Sequence, residues 1–152
     1  MNPFLSDYNH RLQAWKQARS QIQQVESVTH KMDIALKFWQ QAPEDPIRLD
    51  WDACDTWPDP WRLLHDNQYC ADLHSVGVAY TLALADPQQF TDLRLHLIWS
   101  KKDHVQRVVV HTQGYCLNWG WLDRQDLNTL QNMSIQDSWH WTNNEWQSLR
   151  PK

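Results

Sequence analysis

Cys70 is the residue whose position most suggests chemistry, because it directly precedes an apolar run with the composition of a buried helix. At the start of a helix, unpaired backbone N–H groups and the positive end of the helix dipole stabilise a thiolate. A nucleophilic cysteine also needs an imidazole that takes its proton and a polar group that orients the imidazole. His104 and Asn118, further along the chain, could supply these two groups.

The pairing of two predicted strands decides whether His104 and Asn118 can meet. Residues 105–111 and 115–121 flank a short turn that contains a glycine, which predicts a β-hairpin. If the turn holds three residues, Gln106 lies opposite Asn118, and His104 lies diagonally across from Asn118 on the same face of the sheet. A shift of one residue would put the two side chains on opposite faces. The predicted triad therefore depends on this register.

Other interpretations of Cys70 are open. A cysteine in an apolar helix is often a small hydrophobic core residue, and burial would then block its reactivity. His74 lies one helical turn after Cys70 and could be a rival proton acceptor or half of a metal site. No second closely spaced pair of ligands lies nearby, and the chain has only 3 glycines, too few for a phosphate-binding loop. We therefore expect neither a metal nor a cofactor.

The elements that would position these residues run from helices to strands. Apolar residues at helical spacing predict helix over residues 2–41, with a break near Ser27, and a proline-rich connector follows. Residues 69–85 are apolar on nearly all sides, which predicts a buried central helix. A short helix is expected around residues 124–132. Three segments of alternating or β-branched residues predict an antiparallel sheet: 93–99, 105–111 and 115–121.

This order predicts an α+β fold in which helices cover one face of a small antiparallel sheet. We expect an N-terminal helical segment over residues 1–42 and an α+β domain over residues 43–152, together forming one compact domain.

The succession of a helix-opening cysteine, a strand that begins at a histidine and a hairpin that ends at an amide resembles the core of the transglutaminase-like and papain-like cysteine enzymes. The resemblance covers roughly residues 57–121. It implies that Cys70 would be the nucleophile, His104 the base and Asn118 the residue that orients the base. The residues flanking the cysteine depart from the family pattern, which favours a use of this fold without catalysis.

A second resemblance rests on four short motifs: WPDPWRLL at 57–64, YC at 69–70, GVAYTL at 77–82 and LN at 117–118. This pattern is similar to that of small uncharacterised proteins of tailed bacteriophages. It implies a phage origin and a place in the virion, with host cytoplasm as the location during assembly. The expected partners are other phage structural proteins, in an oligomeric or multi-copy assembly.

Tryptophan is unusually abundant, with 11 residues in a chain of 152. Each indole N–H needs a partner, so one interpretation is a tryptophan-rich core with several half-exposed rings. The other interpretation is a protein–protein interface, where tryptophan is enriched. The interface hypothesis assigns the anchoring role to four residues: Trp15, Trp139, Trp141 and Trp146.

The balance of charge excludes several function classes. The net charge of −4 offers no basic surface for nucleic acid or anionic membrane, and no apolar run reaches the length of a membrane span. The leading hypothesis is a virion structural or assembly component that acts by protein–protein contacts on a transglutaminase-like domain. The alternative is an active cysteine hydrolase or acyl transferase that uses Cys70, His104 and Asn118.

Overall fold

Two helices open the chain, as the spacing of its apolar residues predicts. In the computed structural model, which describes residues 2–101, 103–126, 128 and 133–150, α1 spans Tyr8–Gln24 and α2 spans Val28–Trp39. Ser27, at the predicted break, caps α2, because its hydroxyl accepts a hydrogen bond from the backbone N–H of His30 at 3.3 Å. A single 3₁₀ turn over Pro3–Leu5 precedes α1.

A proline-rich connector leads to two further helices. It contains a 3₁₀ turn at Cys54–Thr56 and ends at the short helix α3, Pro60–Asp66. Helix α4 spans Ala71–Ala85 and is buried along nearly its whole length, between α1, α2 and α3 on one side and the sheet on the other. The prediction of a buried central helix is therefore confirmed. None of the helices in the described ranges is both long and apolar enough to cross a membrane.

The described residues form a six-stranded antiparallel sheet with the strand order β4-β3-β2-β1-β5-β6. The strands are β1 Arg94–Ser100, β2 Val105–Thr112, β3 Tyr115–Leu117, β4 Arg124–Asp126, β5 Ser134–Thr142 and β6 Glu145–Ser148. Helix α4 packs on β2. The α+β class and the helices on one face of an antiparallel sheet agree with the sequence prediction.

The turn between β2 and β3 corrects the predicted register. Thr112 pairs with Tyr115, so the turn holds two residues rather than three. Its residues Gln113 and Gly114 have φ angles of 53° and 79°, the left-handed pair that a two-residue hairpin turn requires. Continued past the last paired residue of β3, this register puts Asn118 level with Val109. The predicted pairing of Asn118 with Gln106 is wrong, because a two-residue turn shifts the returning strand.

The C-terminal region is part of the sheet and not a free polar tail. Strand β5 pairs with β1 and forms a hairpin with β6. The predicted helix over 124–132 is wrong at its start, where β4 pairs with β3. Nearly all of its remainder lies outside the described residues.

The core takes up the rings of three of the four tryptophans that the interface hypothesis names, so these three are not available as interface anchors. Trp15, Trp139 and Trp146 are buried, and Trp141 is half-buried against the Trp146 ring. The indole N–H of Trp15 donates to the hydroxyl of Thr81 at 2.9 Å. The indole N–H of Trp146 donates to the hydroxyl of Tyr80 at 3.0 Å, so both of these buried indoles have partners inside the protein.

Candidate functional site

Cys70 occupies the N-cap position of α4, as the sequence predicts, but its thiol is buried. The backbone of Cys70 is extended (φ −82°, ψ 171°), and the residue is only 7% exposed. Burial raises the pKa of the Cys70 thiol and outweighs the backbone N–H groups of Leu73 and Asp72, which lower it. The helix terminus therefore acts on this thiol in the expected direction, but desolvation is the larger effect.

An acidic side chain beside Cys70 also disfavours the thiolate. The carboxylate of Asp72 accepts a hydrogen bond from the indole N–H of Trp51 at 3.0 Å. Burial raises the pKa of Asp72 itself, while the Trp51 hydrogen bond lowers it. The negative charge of Asp72 raises the pKa of Cys70. The end of α4 therefore lacks the electropositive surroundings that reactive cysteines have.

His74, the rival proton acceptor, directs both ring nitrogens at carbonyl oxygens. Its Nδ1 lies 2.8 Å from the Cys70 carbonyl oxygen, and its Nε2 lies 3.3 Å from the Ala42 carbonyl oxygen. An imidazole that abstracts a proton must point an unprotonated nitrogen at the donor. His74 is fully buried in this geometry and instead joins α4 to the segment that follows α2.

Asn118, which the resemblance assigns to orient His104, lies at the first turn of α4, where its amide has structural partners. Its Nδ2 donates to the hydroxyl of Ser75 at 2.7 Å, and its Oδ1 accepts the backbone N–H of Leu122 at 2.8 Å. Asn118 has a φ of 68° and Leu122 a φ of 49°, so this side chain holds a tight loop in the left-handed region. No hydrogen bond joins Asn118 to His104 among the described residues.

His104 lies in the turn before β2 and not in the strand. It is exposed, has a φ of 52°, and its ring centroid is 6.0 Å from that of Trp99. Val108 is the residue of β2 that lies next to the first turns of α4, because its carbonyl oxygen accepts a hydrogen bond from the Ser75 hydroxyl at 2.7 Å. At about 3.3 Å per strand residue, His104 is roughly 13 Å along the strand from Val108. The fold brings Cys70 and Asn118 to one helix end but leaves His104 elsewhere.

All eight histidines lie in the described part of the chain, and none there hydrogen-bonds the Cys70 thiol. A second polar cluster that the sequence analysis did not single out lies on the opposite face of the sheet, around His96 and His111. The signal for it was the alternation along β1, which places Arg94 and His96 on the face opposite Leu95 and Leu97. Among the described residues, no three His, Cys, Asp or Glu side chains are grouped so that they could hold a metal ion.

Solved structures identify the fold. The calcium-bound form of LapG from Legionella pneumophila matches with a TM-score of 0.68 at 17% identity, over 88% of this chain and 76% of LapG. The EGTA-treated form matches with a TM-score of 0.66 at 17% identity, over 88% and 74%. The fold is transglutaminase-like. Neither a protein-family model nor a curated protein sequence matches the chain, so the transglutaminase-like likeness is one of fold.

Proposed function

We propose that this chain uses a transglutaminase-like fold without cysteine catalysis and acts through protein–protein contacts. The observation that carries the proposal is the surroundings of the Cys70 thiol, towards which no described histidine directs a ring nitrogen. Transglutaminase-like cysteine enzymes depend on an imidazole next to the thiol, because the thiolate is the nucleophile.

The protonation state of Cys70 supports this proposal. An unperturbed cysteine with a pKa of about 8.5 is only about 3% thiolate at pH 7. Burial and the neighbouring Asp72 carboxylate raise the pKa of Cys70, which reduces that fraction further. Because the residue is also buried, a substrate carbonyl has little access to the sulfur. Cys70 then serves as a small apolar residue at the start of α4.

The side chains that contact partner proteins in the proposed assembly role must be exposed, so they cannot be those of the buried tryptophans. Trp61 on α3 is 50% exposed, and Trp121 in the loop after β3 is 46% exposed. Trp121 also packs its ring against His74, with centroids 5.2 Å apart, which holds the exposed indole in place. Half-exposed, positioned aromatic rings are typical anchors of protein interfaces.

We assign this assembly role to a tailed-phage particle, with other phage structural proteins as partners, on the sequence pattern that includes the motif at 57–64. The protein would then be present in the virion and, during assembly, in the host cytoplasm. The role predicts that the chain co-purifies with complete particles through a density gradient. A Trp61→Ala/Trp121→Ala double variant should stay folded by circular dichroism but be lost from the particles. Incorporation of this variant at the normal copy number would contradict the role.

The alternative function is an active cysteine hydrolase or acyl transferase that uses Cys70, His104 and Asn118. The position of Cys70 at the start of α4 and the contact of Asn118 with Ser75 in the same helix favour it. It requires the turn that carries His104 to approach the helix end during the reaction. The two functions predict opposite reactivities for the thiol.

Alkylation of the three cysteines separates the two functions. With iodoacetamide between pH 6 and 9 and detection by mass spectrometry, we expect the half-buried Cys54 to react first and the fully buried Cys116 last. Burial raises the pKa of Cys116 to about 12. Cys70 should react slowly at pH 6, and its rate should be the same in a His104→Ala variant. Fast labelling of Cys70 at pH 6 that His104→Ala abolishes would overturn the proposed function and establish the alternative.

A further inference from the structure

The face of the sheet opposite α4 carries a polar cluster with no role in the site at Cys70. In the strand register, Arg94 of β1 lies between His111 of β2 and His140 of β5, and His96 lies opposite Ser138 of β5. Strand side chains alternate between faces, so these five share one face. The Leu95 and Leu97 side chains lie on the other face, in the core that α4 covers. Five polar side chains are therefore grouped on the face that α4 does not cover.

Three of these side chains form one chain of hydrogen bonds. The hydroxyl oxygen of Ser138 lies 2.7 Å from Nδ1 of His96, and Nε2 of His96 lies 3.0 Å from Nδ1 of His111. His96 is 6% exposed, whereas Ser138 and His111 are half-buried and open to solvent. This is the geometry of a nucleophile (the Ser138 hydroxyl), a base (the His96 imidazole) and a residue that orients the base (His111).

The positions of the protons along this chain of hydrogen bonds suit these three roles. When the Ser138 hydroxyl donates to Nδ1 of His96, the Nε2–H of His96 donates to Nδ1 of His111, and both rings are neutral. Burial, with smaller contributions from His111 and Arg94, lowers the pKa of His96 to about 4, while Asp92 opposes the shift. His96 is therefore neutral at pH 7, with an unprotonated nitrogen directed at the serine.

We propose that Ser138, His96 and His111 form a serine–histidine–histidine relay that hydrolyses small activated acyl esters on the open face of the sheet. Ser138 Oγ forms a bond to the ester carbonyl carbon as its proton passes to Nδ1 of His96. The tetrahedral adduct then breaks its bond to the alkoxide, which takes the proton from His96 and leaves as the alcohol. Water, deprotonated by His96, cleaves the acyl-serine, releasing the acid and restoring the hydroxyl. Ester and water are thus converted to acid and alcohol.

Two neighbouring features support the relay. The positive charge of Arg94, held by a hydrogen bond from its Nε to Asp92 at 3.0 Å, acts on both His96 and His111. A cation at this position can stabilise the negative charge that develops on the carbonyl oxygen. The β1–β5 register also shifts two residues before Ser138, where Gln136 is an extra residue in β5. Such bulges re-aim side chains and recur beside active sites.

A tagged fluorophosphonate probe, which phosphonylates activated serines, tests the relay on the full chain at pH 8. Peptide mapping should find the probe on Ser138, and the protein should hydrolyse 4-nitrophenyl acetate. Ser138→Ala should lose both the label and the hydrolysis above the buffer rate. Ser134→Ala is the matched control, because Ser134 is an exposed serine of the same strand, and it should leave both unchanged. His96→Gln should slow labelling by about 10²–10⁴-fold.

His111 is a positioning residue, and its half-buried side chain makes His111→Asn a variant that should fold if His96→Gln does not. Once protonated at low pH, His111 puts a positive charge beside His96 and lowers the pKa of His96, so His111→Asn should move the acid limb of the labelling rate to higher pH. A purely structural role would change the rate without moving this limb. The proposal is overturned if folded wild-type protein labels Ser138 no faster than Ser134. An acid limb that stays in place in His111→Asn removes His111 from the relay.

Discussion

The hydroxyl of Thr81 joins three helices in the core, and its removal should be among the most damaging conservative changes in this protein. Thr81 lies on α4, and its Oγ1 accepts the indole N–H of Trp15 on α1 and the indole N–H of Trp39 on α2, each at 2.9 Å. The hydroxyl donates to the Gly77 carbonyl oxygen at 2.7 Å. The two tryptophans and the threonine are almost completely buried.

Thr81→Val keeps the shape of the side chain and removes the hydroxyl, which is the acceptor of both indole N–H groups and the donor to the Gly77 carbonyl oxygen. Both indole N–H groups then lie in the core without a partner, at a cost of about 1–3 kcal/mol for each unsatisfied donor. The variant should therefore lose about 2–6 kcal/mol of the free energy of unfolding. Domains of this kind are stable by about 5–15 kcal/mol, so the loss is a large share of the total. Thr81→Ser keeps the hydroxyl and should cost about 1 kcal/mol for the lost methyl group.

Urea unfolding followed by far-ultraviolet circular dichroism measures this loss without relying on the altered tryptophans. Thr112→Val is the matched control: Thr112 is equally buried, but its Oγ1 has no hydrogen-bond partner among the described residues. The same chemical change there removes an unsatisfied polar atom, and should be neutral or stabilising. Equal free energies of unfolding for Thr81→Val and Thr112→Val would refute the reasoning, because the two sites differ in hydrogen bonding and not in burial.

Three further changes follow from single contacts. Gly77→Ala would place a Cβ 2.5 Å from the Trp39 ring, so it should lower the thermal unfolding midpoint, with a cost of about 1–3 kcal/mol. Asn118→Ala leaves the buried Leu122 N–H without an acceptor and should cost about 1–3 kcal/mol in urea unfolding, whether or not Cys70 is reactive. The pKa of His96 is about 4 in the folded protein and about 6.5 when unfolded, so the unfolded chain binds more protons between these values. The free energy of unfolding should therefore fall as pH drops from 6.5 towards 4, and a His96→Gln variant should show a smaller fall.

Local patterns were sufficient to predict α1, α2 and α4 and three of the six strands of the described sheet. Helical periodicity and the capping residue at Ser27 predicted α1 and α2, and the all-round apolar character of residues 71–85 predicted the burial of α4. These features depend on neighbours within a few residues, so the sequence contains the information directly. The position of Cys70 at the start of α4 follows for the same reason.

The register at the candidate site depends on the backbone of one turn. Gln113 adopts a left-handed conformation that an L-residue takes only where its surroundings support it, so a three-residue turn was equally compatible with the sequence. The position and the length of this turn together decide whether Asn118 lies opposite Gln106 or Val109 across the hairpin. The distance between His104 and the start of α4 was therefore decided by the tertiary structure.

Non-local packing decided which tryptophans are buried and where the second polar cluster lies. Strand β5 pairs with β1, about 40 residues earlier in the chain, as in the pairing of His96 with Ser138. That pairing buries Trp139 and brings Ser138 to His96. No sequence motif around either residue indicates the other. The sequence by itself determined the helices α1, α2 and α4 and the strands β1, β2 and β3, because their periodicity is local. Only the tertiary structure determined which side chains meet, because strand pairing over such separations depends on the packing of the whole sheet.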